Sequence, residues 1–419
     1  MGTCLISWML APHFATSSHV CNKKRLLVLC NPNMQEEEKV GGEVKMQGSE
    51  SMRLKEKKVR DLMVENGKKR LVEVPYTASL AQTMNTLVAN RVVAVPVAAP
   101  PGEWIGAGGS MIVESDKHSG AVRKHYIGMV TMLDIVVHIA GDDHLSGSDD
   151  MTQELDQRMS HPVSSIIGHS FEGLSLWTLN PNTSLLDCME VLSKGVHRAM
   201  VPVGVDGQVQ NVSAGLELAE SASSYQMLTQ MDVLRFLHSR APAPQLHTIL
   251  SRSVQHLGAH TEQIYAITDS TKLLHAIKCL KTAMLNAVPI VRASHVGQDD
   301  HKQLINGRCR KLIGTFSVTD LKGCHLATLK SWLQTSALAF TEEAASSPLN
   351  TQNSGSRREL VTCFALSPLS EVIEKAVTRH VHRVWVVDQE GFLIGVVSLT
   401  DVIRVIRQSL LSHSDSDNQ

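Results

Sequence analysis

Two residue groups in this chain have the types and spacing to do chemistry. The first is a hydroxyl followed three residues later by a carboxylate: Thr131 with Asp134, Thr229 with Asp232, Ser317 with Asp320, and Ser398 with Asp401. The second is a His-Arg pair, found as His197-Arg198 and His382-Arg383. Ser/Thr-x-x-Asp is the pattern of a capping box, in which the hydroxyl accepts a helix amide and the carboxylate reaches back to the cap amide. A strand running into a helix start also presents outward N–H groups that suit an anion such as phosphate. A carboxylate beside them can accept hydrogen bonds from vicinal ribose hydroxyls. Arginine's planar fork fits phosphate oxygens, and a neighbouring histidine adds a second donor. The box read as a cap alone, and the pairs read as surface charge at a strand entrance, fit the same residues. Both uses remain open.

The boxes sit in four copies of one phrase: "GMVTMLDIVVHI", "QMLTQMDVLRFL", "GTFSVTDLKGCHL" and "GVVSLTDVIRVI". Each reads as a strand entering an apolar helix. Gly128, Gly314 and Gly395 lie three residues before the hydroxyl, where a side chain would obstruct close approach; the second copy has Gln226 there. Upstream of each phrase come a helix at i, i+3, i+4, i+7 spacing and an apolar strand. The helices are "PYTASLAQTMNTLVANR", "NPNTSLLDCMEVLSKG", "TDSTKLLHAIKCLKTA" and "LSPLSEVIEKAVTRH"; the strands are "VVAVPV", "AMVPV", "AVPIV" and "RVWVV". A short strand precedes each helix: "LVEV", "LWTL", "IYAI", "VTCF". The unit is therefore strand, helix, strand, strand, helix. Unequal loops separate the two long strands, down to a tight "DQEG" turn in the last copy. So small a sheet cannot cover both its faces alone, so the units should pair, and four copies give two pairs.

These boundaries follow: an N-terminal extension, 1–57, expected to be disordered; repeats over 58–140 and 159–240 in a first module, 58–240; repeats over 246–335 and 357–411 in a second, 241–411; and a polar tail, 412–419. "GDDHLSGSDDMTQELDQR" and "TEEAASSPLNTQNSGSRR" read as separators, and "RAPAPQ" as the division between halves. The first 35 residues hold no Asp or Glu, and Lys23, Lys24 and Arg25 give them a faint transit-peptide character; Ile6 stands where myristoylation wants Ser or Thr. The run "MRLKEKKVRDLM" reads as a solvated helix entrance.

Composition excludes several classes. The 419 residues are 43% hydrophobic and 19% charged with a net charge of −1, a globular mixture with no overall attraction to nucleic acid or anionic membrane. No apolar run approaches the roughly 20 residues of a membrane span. The eight cysteines form no CxxC pair and read as free thiols. There is no P-loop or GxSxG, and His382-Arg383 is followed by Val384 rather than a catalytic-loop aspartate. His256 and His260 have ligand spacing but no recurrent third ligand, so no metal is expected.

Together these features resemble cystathionine-β-synthase (CBS) domains, whose tandem pairs form Bateman modules that bind adenine nucleotides. Four copies with little else attached resemble the gamma regulatory subunit of AMP-activated and sucrose-non-fermenting-related protein kinases. The wording of "VPYTASLAQTMNTLVANRVVAVPVAAPPGEWIGAGGS" is most similar to a plant gamma-like subfamily. The resemblance covers roughly residues 58–410. It implies an α/β fold of four CBS repeats pairing into two Bateman modules as a pseudo-symmetric disc. It implies a non-catalytic subunit that senses AMP, ADP or ATP, partnered by kinase catalytic (alpha) and beta subunits, in the cytoplasm or nucleus. Within that family the aspartates, here Asp134, Asp232, Asp320 and Asp401, hold ribose, and the pairs His197-Arg198 and His382-Arg383 hold phosphate. This chain departs from animal gamma subunits by carrying Val92 or Val93 in the register where their first repeat has a basic residue, and by retaining Asp232, which is Arg in those proteins. A ligand-free CBS adaptor and a CBS regulator of another enzyme or transporter are the alternative functions.

Overall fold

The structure is a computed structural model that describes residues 54, 56–67, 71–99, 126–140, 151–168, 176–203, 224–294, 299–323, 331–346 and 359–416. Expectations for the N-terminal extension before residue 54, for the long loops of repeats one and two, and for the last three residues lie outside them.

Repeats one and four follow the expected order, whereas repeat two has a single bridge in place of its first strand and repeat three a 3₁₀ turn in place of its last helix. The first comprises α1 (Val59–Glu65), β1 (Val74–Pro75), α2 (Leu80–Asn90), β2 (Ala94–Ala98), β3 (Tyr126–Thr131) and α3 (Met132–Ala140). The second has α4 (Met151–Ser160), α5 (Leu185–Ser193), β4 (Arg198–Val203), β5 (Ser224–Thr229) and α6 (Gln230–Ser239). The third has α7 (Pro244–Leu250), β6 (Tyr265–Thr268), α8 (Leu273–Thr282), β7 (Ala287–Val291), β8 (Ile305–Asn306) and β9 (Leu312–Ser317), then a 3₁₀ turn, Val318–Gly323. The fourth has α9 (Ala337–Ser346), β10 (Thr362–Cys363), α10 (Leu369–Thr378), β11 (Arg383–Val387), β12 (Leu393–Ser398) and α11 (Leu399–Ser416).

The long strands pair antiparallel, while β1, β6 and β10 add in parallel on the other edge of β2, β7 and β11. In repeat two this contact narrows to one bridge, Thr178 with Met200, beside the pair β4–β5. The helices form for local reasons. Ser79 and Gln82 close a reciprocal box at the start of α2, and Ser184 accepts the Asp187 amide at the start of α5. The stripe Leu185, Cys188, Met189, Leu192 is wholly buried. Asp388 and Gly391 close the "DQEG" turn, with Gly391 at φ +82°, where only glycine is unstrained.

Three local readings change. Among the described residues the second helix of repeat three is a 3₁₀ turn, and Gly323 stands three residues after Asp320, where α3, α6 and α11 carry Val137, Arg235 and Arg404. Both stretches read as separators carry helix, as α4 and the C-terminal half of α9. Met159 and Phe340, core residues of these helices, each stand one residue outside the two stretches. The basic run before residue 59 leads into α1, whose Val59, Leu62 and Met63 are buried in the core of repeats two and four.

Pairing is built from an exchange of leading segments. Val59 donates its amide to Thr183 and Leu185 donates to Lys57, so the lead of repeat one caps the first helix of repeat two. Repeat two answers with Val163 to Ala78 and Leu80 to His161. Repeats three and four repeat the arrangement through Val254 to Ser367, Leu369 to Arg252, Leu273 to Thr335 and Ala337 to Thr271. Small sheet-face clusters complete these pairs: Met200 and Tyr225 with Leu71 and Tyr126 between repeats one and two, and Ile264, Val291, Trp385 and Leu393 between three and four. The two large cores run the other way, joining repeat two to four and repeat one to three.

Candidate functional site

A cavity of ≈ 960 Å³ lies where the four repeats meet, lined by residues from every one of them. Thr131, Thr229, Ser317 and Ser398 line it, and so do His197, Arg198, His382 and Arg383. The carboxylates of Asp134, Asp232, Asp320 and Asp401 are not among its lining groups. They stand behind the hydroxyls as cap acceptors. Asp134 Oδ2 accepts the Thr131 amide at 2.8 Å and its hydroxyl at 2.7 Å, and Asp232 Oδ2 does the same for Thr229 at 2.8 and 2.7 Å. Asp320 Oδ2 accepts the Ser317 amide at 2.8 Å, and Asp401 Oδ2 accepts the Ser398 amide at 3.1 Å and hydroxyl at 2.5 Å. Two of these carboxylates also face an arginine one turn on: Arg404 Nη2 is 3.1 Å from Asp401 Oδ1, and Arg235 Nη1 is 3.6 Å from Asp232 Oδ1.

The backbone puts the basic pairs in register with these boxes. Ala94, Arg198, Ala287 and Arg383 each pair across the ladder with the box hydroxyl residue of their own repeat. The carbonyls of Val93, His197, Asn286 and His382, one residue earlier, accept the amide of the residue after that hydroxyl. Equivalent places therefore hold Val-Ala in repeat one, His-Arg in two, Asn-Ala in three and His-Arg in four. Asn286 Nδ2 lies 3.4 Å from His197 Nδ1. Arg383 Nη1 crosses to repeat three and donates to the Ala287 carbonyl at 2.7 Å, while its buried Nε makes no hydrogen bond.

Repeat three supplies a cation that the spacing of the pairs did not reveal. Lys322, on the 3₁₀ turn, also lines the cavity. The signal lay in comparing copies: two residues after the aspartate the other repeats carry Val136, Leu234 and Ile403, all fully buried. Trp385, whose Nε1 donates to Thr315 Oγ1 at 2.8 Å, adds an aromatic wall between repeats three and four.

The electrostatics of this corner are strongly positive. His382 is exposed on the cavity wall, while the protein packed around it desolvates its ring. That desolvation, reinforced by Arg198, Lys322, Arg383 and His197, pulls its pKa down to about 4. Removal from bulk water draws Arg383 down to about 10. A guanidinium and an imidazole desolvated in this way gain from an incoming anion, whose charge offsets the hydration that burial removed.

Comparison with known proteins places the chain. It is 60% identical over 352 residues to the SNF1-related protein kinase regulatory subunit gamma-like PV42a of Arabidopsis thaliana, covering 84% of this chain and 95% of that one. A second Arabidopsis thaliana relative, gamma-like PV42b, is 57% identical over 361 residues, 86% of this chain and 97% of the relative. The chain belongs to the SNF1-related protein kinase gamma-like family. The CBS domain family model matches residues 356–408 of this gamma-like chain, its fourth repeat. A solved structure from Methanocaldococcus jannaschii, described as an archaeal homologue of g-AMPK, has 18% identity and a TM-score of 0.48 over 80% of this chain and 96% of its own.

Burial pushes the Cys188 and Cys363 thiols up to about 12, which leaves them as unreactive core groups. Among the described residues no group of three or more His, Cys, Asp or Glu could hold a metal ion, and no helix is long and apolar enough to cross a membrane. His256 is turned to Arg252, its Nε2 2.5 Å from Arg252 Nη2.

Proposed function

We propose that this gamma-like chain is a non-catalytic regulatory subunit of an SNF1-related protein kinase complex, assembled with the kinase's catalytic and beta subunits. In this reading it takes AMP, ADP or ATP in the central cavity. The observation that carries it is the convergence of His197, Arg198, His382 and Arg383 with the four box hydroxyl residues, Thr131, Thr229, Ser317 and Ser398, around one cavity. Phosphate oxygens would meet the two guanidinium groups. The ribose would lie against the hydroxyl corners, which Asp134, Asp232, Asp320 and Asp401 hold in place. Because the cavity touches every repeat, a ligand would bias the packing between them, and the kinase would read that shift in population. The complex would work in the cytoplasm or nucleus.

A second reading, a ligand-free adaptor, draws support from the carboxylates, each of which is already engaged at a helix cap. Calorimetric titration of the full chain with AMP, ADP and ATP separates the two. Nucleotide sensing predicts binding that Arg383→Ala abolishes while the fold, followed by circular dichroism, is kept. A folded wild type that gives no heat with any of the three leaves the adaptor. Purification of the tagged chain with mass spectrometry tests the partners, and recovery without a kinase catalytic subunit would count against the complex.

A further inference from the structure

Lys322 occupies a place where a charge is costly. Its counterparts Val136, Leu234 and Ile403 are core residues on regular helices, whereas the 3₁₀ turn Val318–Gly323 leaves Lys322 half-buried on the cavity wall. Burial lowers its pKa below the usual lysine value, and the charge of Arg198 adds to this while Asp320 opposes it. The Asp320 carboxylate is itself held by the Ser317 amide at 2.8 Å. Arg198 from repeat two, Lys322 from repeat three and Arg383 from repeat four all line the cavity around His382, and the charge of each bears on it. Two acids line the same cavity, Glu342 and Glu359, and Arg379 already pairs with Glu359 at 2.5 Å.

We propose that Arg198, Lys322 and Arg383 form a polyphosphate subsite at the junction of repeats two, three and four, so that the cavity favours nucleoside di- and triphosphates over monophosphates. The proposal rests on the cavity being a nucleotide site and names the part of the ligand that is selected. A phosphomonoester carries at most about two negative charges, fewer than the three cations gathered here. A phosphate chain adds charge with each phosphoryl group and has the length to touch side chains from three repeats. Two guanidinium forks fix the orientation of the chain, and the flexible ammonium of Lys322 follows its far end.

The test compares AMP, ATP and inorganic pyrophosphate by calorimetry, without magnesium, on the wild-type chain, Lys322→Leu and Lys322→Arg. Leucine is the residue type repeat two already carries at this place, so Lys322→Leu should fold with undiminished thermal stability. Wild type should bind ATP more tightly than AMP, and pyrophosphate should displace ATP. Lys322→Leu should weaken ATP and pyrophosphate by about tenfold or more and AMP far less, with Lys322→Arg restoring most of the loss. Equal weakening of AMP and ATP, no change in either, or pyrophosphate that fails to compete would overturn the subsite while leaving the nucleotide cavity standing. A wild type that binds none of the three would overturn the cavity reading itself.

Discussion

At the scale of single residues, the four box corners divide the work between two atoms. The aspartate faces the backbone and shapes the corner; the hydroxyl residue, with the basic pair beside it in repeats two and four, faces the cavity. His382 is where this division becomes measurable. Its pKa falls from 6.5 to about 4 in the folded chain. Between those values the unfolded chain binds a proton that the folded chain refuses, so folding stability contributed at this site is lost as pH falls through that window and levels off below it. The prediction is that His382→Gln, which cannot titrate, loses less thermal stability than wild type when pH drops from about 7 to about 4. His275 and His380 also titrate low, but they are common to both proteins and cancel in the difference. Parallel melting curves for the two proteins would refute the assignment. A bound phosphate should shrink the gap, because it returns the counter-charge that lets His382 keep its proton.

At the scale of elements, Gly395 shows why the repeated phrase begins as it does. A Cβ there would lie 2.9 Å from the His260 ring and 3.2 Å from the Thr261 carbonyl, because Thr261 and Val396 exchange two 2.9 Å backbone bonds along β12. The close approach is by neighbouring backbone. At Gly314 the nearest obstacle is the mobile end of Leu338, at 2.8 Å. Gly395→Ala should therefore cost about 1–3 kcal/mol in urea unfolding and Gly314→Ala clearly less; the reverse order would contradict this packing. The glycines, helix stripes, apolar strands and boxes were legible because each is a local pattern with one dominant cause. Helices α4 and α9 were not, since α4 is polar along most of its length and the part of α9 that follows Phe340 holds only polar and small residues. Lys322 escaped for the opposite reason: a lone lysine after a box looks like solvated surface until its fully buried counterparts in three other copies are set beside it.

At the scale of the whole molecule, each repeat is held on two sides by different partners. Its leading segment and sheet face join it to its neighbour in sequence, and its helices join it to a repeat of the other half: α3 with α8, and α5 and α6 with α10 and α11. The contacts close into a cycle, one to two to four to three and back to one. A chain cut near residue 240 would expose the facing surfaces of both large cores. Such a molecule should unfold in one cooperative step across both halves, since losing either half strips the apolar face of the other. Ile403, fully buried on α11 in the core shared with α5, tests this. Ile403→Ala should cost about 2–5 kcal/mol. The loss should appear as one shifted calorimetric transition and as faster amide exchange in Leu185–Ser193, more than two hundred residues away along the chain. Two separate transitions, with only the later half moved, would mean that the halves stand independently. A ligand at their centre could then influence one half without the other, and the cavity would lose its means of acting on the whole molecule.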